Sequence, residues 1–420
     1  MKKLLQYILI VFLLATTLVS CKDEEEVNPE PTINQQIYGL MKYWYLWNDE
    51  IPEVDPDNYS SPQALLEAVT FKPIDKWSFI TSWQAFEQLF RQGSFSGFGM
   101  GLAFDSNSNL RITFTYSDSP AGIAGLDRGD IIKKINNQTV EALDQQDKLN
   151  EVLSNEETLQ FEVEKLGGQL VDVSVTKGNV NINTVLYNDV IVEGERNIGY
   201  LVFNNFIDKS KDELLTVFGD FKAKGVNELV LDLRYNGGGT LGSTDTLASL
   251  IHQPANQGEL FLEIAYNEDR SDENEPIFFR NLSQSIDVDR LYVITTGSSA
   301  SASEAIINGL RPYINVTTIG TTTSGKPVGQ SVVKIDDLAV GPIVFSVDNS
   351  LGQADYFNGL PADIPSADNT GVTWGDLNED CLAAAIAAIK DEPGRKLKSY
   401  VKQPSKTIPM NGFRAEIGAW

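Results

Sequence analysis

Hydrophobic positions along the chain change their period twice, and each change marks a different architecture. From Ile33 to about Gly93 apolar residues recur at i, i+3 and i+4: Ile37, Leu40, Met41, Trp44, Tyr45 and Trp47, then Leu65, Leu66 and Val69, then Trp83, Phe86, Leu89 and Phe90. That spacing lines one face of successive amphipathic helices, so residues 33–93 are expected to form an N-terminal helical cap on a larger body. From Phe95 to about Lys177 the runs shorten. Phe98–Phe104 and Leu110–Tyr116 read as strands, and residues 94–180 are expected to be a β-rich domain. From about Asn183 strands and helices alternate: Ile198–Phe203, Leu229–Leu233 and Leu291–Thr296 as strands, Lys209–Lys222 and Leu241–Ile251 as helices. Alternation of this kind predicts an α/β sheet over residues 183–390, and the whole reads as a multidomain α/β chain. Gln330–Val333 and Ile343–Val347 are expected strands, and Asp376–Ala388 an alanine-rich helix. Asn267–Pro276, which is acidic, is expected to be a solvated loop, and 391–420 a loose tail.

One turn in the third region carries chemistry. The strand Leu291–Thr296 runs into Gly297-Ser-Ser-Ala-Ser-Ala-Ser-Glu304, and from Ser303 a helical pattern follows with Ile306, Ile307 and Leu310 on its apolar side. A serine at a strand-to-helix turn is placed for nucleophilic attack, because free amides at a helix start face any negative charge that develops beside them. Ser301 is the candidate nucleophile, with the Ala302 amide as one oxyanion donor. A serine hydroxyl needs a base, and the usual one is histidine. The chain has a single histidine, His252, in Leu250-Ile-His-Gln-Pro254 at the end of a predicted helix, with nothing catalytic beside it. A lysine can serve instead when burial lowers its pKa. Lys326, in Thr323-Ser-Gly-Lys-Pro-Val-Gly-Gln330, lies in a loop of small, nearly uncharged residues that suits a desolvated amine.

Ser299-Ala-Ser-Ala-Ser-Glu304 resembles the nucleophile motif of the C-terminal processing peptidases, the S41 family of Ser-Lys proteases. The spacing of 25 residues from Ser301 to Lys326 agrees with that family. The resemblance implies that Lys326 is the general base and that Gln330 orients it. Pro327 stands where many members carry glycine, which removes a backbone N–H and stiffens the loop. Asp232-Leu-Arg-Tyr-Asn-Gly-Gly-Gly239 resembles the family's glycine motif, and the amide of Gly238 or Gly239 is the candidate second oxyanion donor. Ser119–Val140 resembles the PDZ signature, so residues 94–180 are expected to be a PDZ-like β-rich domain with Leu143–Leu153 as its second helix. The amides of Gly97, Phe98, Gly99, Met100 and Gly101 are candidates for capturing a peptide carboxylate by strand addition. Such a domain either docks substrate or serves as a rigid lid or regulator. By the same resemblance residues 183–390 form a crotonase-like (ClpP/crotonase) ββα spiral, and the implied activity is a serine endopeptidase acting on proteins or peptides at or near their C-terminal region.

Met1–Ser20 has a short basic start and an apolar run too short for an ordinary membrane span, as in a signal peptide. Leu18-Val-Ser-Cys21 resembles a bacterial lipobox, which implies lipidation of Cys21. Lys22-Asp-Glu-Glu-Glu26 resembles the acidic surface-export signal of Bacteroidetes lipoproteins, and residues 21–32 read as an acidic tether. The expected location is the cell envelope, lipid-anchored in the outer membrane and surface-exposed, with membrane contact through the lipid alone. The net charge of −25 becomes −27 once residues 1–20, which hold Lys2 and Lys3, are removed. Such a chain repels nucleic acid and anionic head groups, so no nucleic-acid partner is expected. One histidine, and a single cysteine apart from Cys21, argue against a zinc site, and neither metal nor organic cofactor is expected. A peptide-binding surface lipoprotein on an S41 scaffold that hydrolyses little is the alternative. An acyl-CoA enzyme of the crotonase type is disfavoured, because the Ser, Lys and Gln set has no role there.

Overall fold

The computed structural model describes residues 30–390. The expected signal peptide, most of the tether including Cys21, and the C-terminal tail lie outside the described residues.

The body is a six-stranded sheet in the order Val185–Glu193, Arg196–Phe203, Glu228–Asp232, Arg290–Thr295, Asn315–Gly320, Ile364–Pro365. The first pair is antiparallel and all later pairs are parallel. Parallel strands are joined by crossovers that cover both faces, which is why Glu228–Asp232 is buried at every position. Its alternate residues serve two cores. Leu229, Leu231 and Leu233 pack with the helices Ser210–Ala223, Leu241–Ile251 and Ala302–Leu310. Val230, with Tyr200, Tyr292 and Ile294, packs against the helix Asp380–Ile389 on the other face.

A second, antiparallel sheet runs Glu275–Phe278, Leu260–Tyr266, Ile343–Asn349, Val328–Gln330. It brings Lys326 and Gln330 to its edge. The N-terminal segment does not stand apart from this body. Ile37, Met41, Tyr45, Leu65 and Trp77 share one core with Val328, Ile335, Val340 and Ile343. The segment is also not wholly helical: Phe79–Ser82 is a strand paired antiparallel with Leu338–Gly341, between the helices Pro62–Val69 and Trp83–Phe90. Asn267–Pro276 is exposed at most positions, as expected of a solvated segment, but it forms a 3-10 helix over Glu268–Glu273 and is anchored at its start. The buried Asn267 donates to the Tyr45 carbonyl at 3.0 Å, and the Arg270 guanidinium lies 3.4 Å from the Tyr43 ring centroid.

Residues 94–181 form a separate five-stranded antiparallel path, Met100–Phe104, Leu110–Thr115, Ile131–Ile135, Thr158–Glu164, Leu170–Thr176, over its own apolar core. Where one helix was expected over Leu143–Leu153, two short ones occur, Val140–Gln145 and Leu149–Asn155. The break falls at Asp147, whose φ of 54° is outside helical geometry.

Candidate active site

Three alternating serines build the turn between the strand Arg290–Thr295 and the helix Ala302–Leu310, and two of them are used structurally. Ser299 Oγ donates to the Leu233 carbonyl and Ser303 Oγ to the Asn236 carbonyl, each at 2.8 Å, and the Ala300 N–H also donates to Asn236. These bonds stitch the serine turn onto the turn that follows Glu228–Asp232. Ser301, between them, lines a cavity of about 360 Å³. Its backbone has φ 55° and ψ −114°, a conformation that costs a non-glycine residue about 1–3 kcal/mol and persists only where neighbours hold it.

Glu304 is one such neighbour. Fully buried, it accepts from the Ser301 N–H at 2.9 Å, the Lys326 N–H at 2.8 Å, the Gly325 N–H at 2.7 Å and Thr323 Oγ1 at 2.5 Å. Burial raises its pKa, with those hydrogen bonds opposing. One carboxylate therefore fixes the serine turn and the lysine loop to each other, reinforced by the Ser324 N–H donating to Ser299. Gly325 makes the approach possible. At φ +85° a Cβ there would meet the Phe357 carbonyl at 2.4 Å.

Lys326 is 7% exposed and lines the same cavity as Ser301. Burial pushes its pKa down to about 8, against the opposing attraction of Asp75 and Glu304. Its Nζ donates to Gln330 Oε1 at 3.1 Å, and Gln330 Nε2 donates to the Trp77 carbonyl at 2.8 Å. Pro327 is buried, and its carbonyl accepts from the Val347 N–H.

The glycine turn meets the serine turn directly. A Cβ on Gly238, at φ +101°, would come within 2.8 Å of Ser301 Cβ and 3.0 Å of the Ala302 nitrogen. The Gly238 N–H, however, donates to Asn236 Oδ1 at 2.9 Å. Of the two candidate glycine amides, this engagement leaves that of Gly239 as the available one. Neither the Gly239 nor the Ala302 N–H has an acceptor among the described residues.

His252 lies elsewhere. It follows the helix Leu241–Ile251, stacks on Tyr313 at 5.4 Å between ring centroids and sits 3.8 Å from Glu259. Gly97, Phe98, Gly99, Met100 and Gly101 are also outside the cavity lining. Met100 and Gly101 open the edge strand of the 94–181 sheet, while the Phe98 and Gly99 carbonyls face inward, to the Ala121 and Tyr116 N–H groups. That unit reaches the glycine turn by another route. Arg128 donates to Tyr235 Oη at 2.9 Å and to Asp368 at 3.2 Å, and lies 3.8 Å from the Trp374 ring centroid. Arg234, beside Tyr235, is ion-paired with Asp232, Asp368 and Glu379.

Sequence reasoning assigned no role to Asp75, Trp77, Asn236 or Glu304. Glu304 carries a signal, an acid three residues after a helix-starting serine. Trp77 carries none, because its contact with Gln330 spans 253 residues.

A strained Ser301 and a buried Lys326 thus line one cavity of an α/β body, with the uncommitted amides of Ala302 and Gly239 in the turns that flank it. Residues 197–358 match the profile of peptidase family S41, and residues 32–79 match the peptidase S41 N-terminal domain. The chain belongs to peptidase family S41. It is 26% identical over 247 residues to the "Probable CtpA-like serine protease" of Staphylococcus epidermidis, covering 58% of this chain and 48% of that one. With the "Carboxy-terminal-processing protease" of Bartonella bacilliformis the identity is 27% over 252 residues, covering 59% and 55%. The chain thus spans about half the length of the curated relatives it matches. A crystal structure from Bacteroides fragilis assigned to the S41 proteases superposes with a TM-score of 0.72 at 25% identity, covering 85% of this chain and 97% of that one. The photosystem II D1 C-terminal processing protease shares the fold at a TM-score of 0.52 and 18% identity, covering 82% and 95%.

Proposed function

We propose that the chain is a serine endopeptidase that cleaves proteins or peptides at or near their C-terminal region through Ser301 and Lys326. The observation that carries this reading is the pairing of a strained Ser301 with a lysine buried deeply enough to be neutral at mildly alkaline pH, in one cavity. Neutral Lys326, oriented by Gln330, takes the Ser301 hydroxyl proton as Oγ attacks the scissile carbonyl carbon. The developing oxyanion is received by the Ala302 and Gly239 N–H groups. Protonated Lys326 then gives its proton to the leaving amine. Water, deprotonated by the same amine, attacks the acyl ester, and Ser301 is released with a new carboxyl terminus. The route uses no metal or organic cofactor.

In this reading residues 94–180 act as a PDZ-like domain that assists substrate recognition or regulates the site, and 183–390 as a crotonase-like spiral. A lipid on Cys21 would hold the protein in the cell envelope, at the outer membrane and surface-exposed, and would be its membrane contact. Supporting the peptide substrate class are the family and the names of the relatives. Cleavage of an unfolded protein with an apolar C-terminus tests the whole, using the full chain in detergent beside Ser301→Ala and Lys326→Ala. Cleavage by the parent and none by either variant is the expected result. An inert parent that still binds a C-terminal peptide replaces the reading with a peptide-binding lipoprotein on an S41 scaffold.

A further inference from the structure

The environment of Lys326 is built partly by a segment more than 240 residues away in sequence. Asp75 is 2% exposed, and every hydrogen bond it accepts comes from a neutral donor. Oδ1 accepts from the Trp77 N–H at 2.8 Å and the Ser78 N–H at 3.0 Å; Oδ2 accepts from Tyr45 Oη at 2.8 Å and Ser78 Oγ at 2.5 Å. This network bends the chain so that the Trp77 carbonyl faces Gln330, and Ser78 Oγ accepts the Ile343 N–H at 3.0 Å, tying the bend to the second sheet. A buried carboxylate held only by neutral donors keeps an uncompensated charge. Lys326 is a cation on which it acts.

We propose that Asp75 is a positioning residue of the active centre: its charge stabilises Lys326 once protonated, and its hydrogen bonds place the Trp77 carbonyl that orients Gln330. The N-terminal segment is then part of the general base and not only a cover over the core. This inference rests on the serine–lysine reading. The other charged group acting on Lys326 is Glu304, from the helix Ala302–Leu310; Tyr356, whose buried hydroxyl has no hydrogen-bond partner among the described residues, lines the same cavity, and Tyr45 faces Asp75. Glu304 is already committed to four donors that include the Lys326 N–H. Asp75 is the charge supplied from outside the serine and lysine loops.

The test is the rate at which a fluorophosphonate labels Ser301 as a function of pH, read by intact mass on the full chain in detergent. The parent profile is expected to rise with a midpoint at about 8. Asp75→Asn keeps the shape and removes the charge, so the midpoint falls. A fall of about one unit raises labelling at pH 7 roughly fivefold relative to the plateau. Tyr45→Phe does the opposite. It strips a donor from the carboxylate and leaves its charge more exposed to Lys326, so the midpoint rises. Opposite shifts support the proposal; no shift in Asp75→Asn, or a downward shift in both, overturns it. Should Asp75→Asn fail to fold, Tyr45→Phe decides alone, and a midpoint unmoved or lowered is the contrary result. A parent that does not label, or a Ser301→Ala variant that labels equally, removes the serine–lysine reading itself.

Discussion

At the scale of the residue, the site trades stability for reactivity. A lysine whose pKa falls from 10.5 to about 8 on burial costs the fold free energy at neutral pH, because its charged form is less well accommodated folded than unfolded. The sign follows from proton binding. Between about pH 8 and 10.5 the unfolded chain holds the proton more often, so stability rises with pH across that window. Lys326→Met is therefore expected to abolish cleavage while stabilising the fold by about 1–3 kcal/mol at pH 7, a gain that shrinks as pH approaches 10.5. Urea unfolding at pH 7 and 10 checks both parts. Glu304 predicts the reverse. Glu304→Gln turns an acceptor into a donor facing buried N–H groups, costs roughly 2–4 kcal/mol and lowers activity through Ser301 and Lys326 together, read from the denaturant midpoint and the cleavage rate.

At the scale of the element, the strand-to-helix turn at Ser301 is legible because a buried run, small residues and a 3.6-residue period follow one another within twenty positions. The function of the neighbouring serines is not legible. Which hydroxyls become staples depends on the turn that Leu233 and Asn236 make, and that turn is remote in sequence. Ser303→Ala is expected to cost about 1 kcal/mol, since the Asn236 carbonyl keeps its bond from Ala300, and to slow cleavage by loosening the turn. The lysine loop gives a sharper case. Gly325→Ala forces a Cβ against the Phe357 carbonyl and carries about 1–3 kcal/mol of backbone strain, so activity falls more than the melting temperature suggests. The broken helix at Asp147 shows the limit of periodicity, since a positive φ there overrides the local pattern.

At the scale of the molecule, the alternation of strands and helices after Asn183 makes the α/β body legible, whereas its joints are not. The pairing of Phe79–Ser82 with Leu338–Gly341 joins segments some 260 residues apart, and no local periodicity encodes a partner at that distance. The joint between the 94–181 unit and the body is partly apolar, with Phe114, Tyr116 and Val180 packed against Leu89 and Ile207, and partly ionic: Arg128 and Arg234 share Asp368, with Asp232 and Glu379 behind, all but Asp368 almost fully buried. Burial tends to raise the Asp368 pKa, but Arg234 and Arg128 outweigh it and hold the carboxyl below its ordinary value. Removing one partner from such a cluster leaves a buried charge short of compensation. Arg128→Ala is expected to cost about 3–5 kcal/mol and to make the 94–181 unit more sensitive to limited proteolysis than the body.

The proposed roles are formation of the covalent intermediate at Ser301 and removal of the Ser301 hydroxyl proton by Lys326. Peptide mapping of the chain after reaction with a serine-directed fluorophosphonate tests them most directly, run at pH 6 and 9 on the parent, Lys326→Ala and His252→Ala. One adduct is expected, on Ser301, that forms faster at pH 9, is lost in Lys326→Ala and is unchanged in His252→Ala. An adduct on another serine, or one that survives Lys326→Ala and disappears with His252, would contradict these roles.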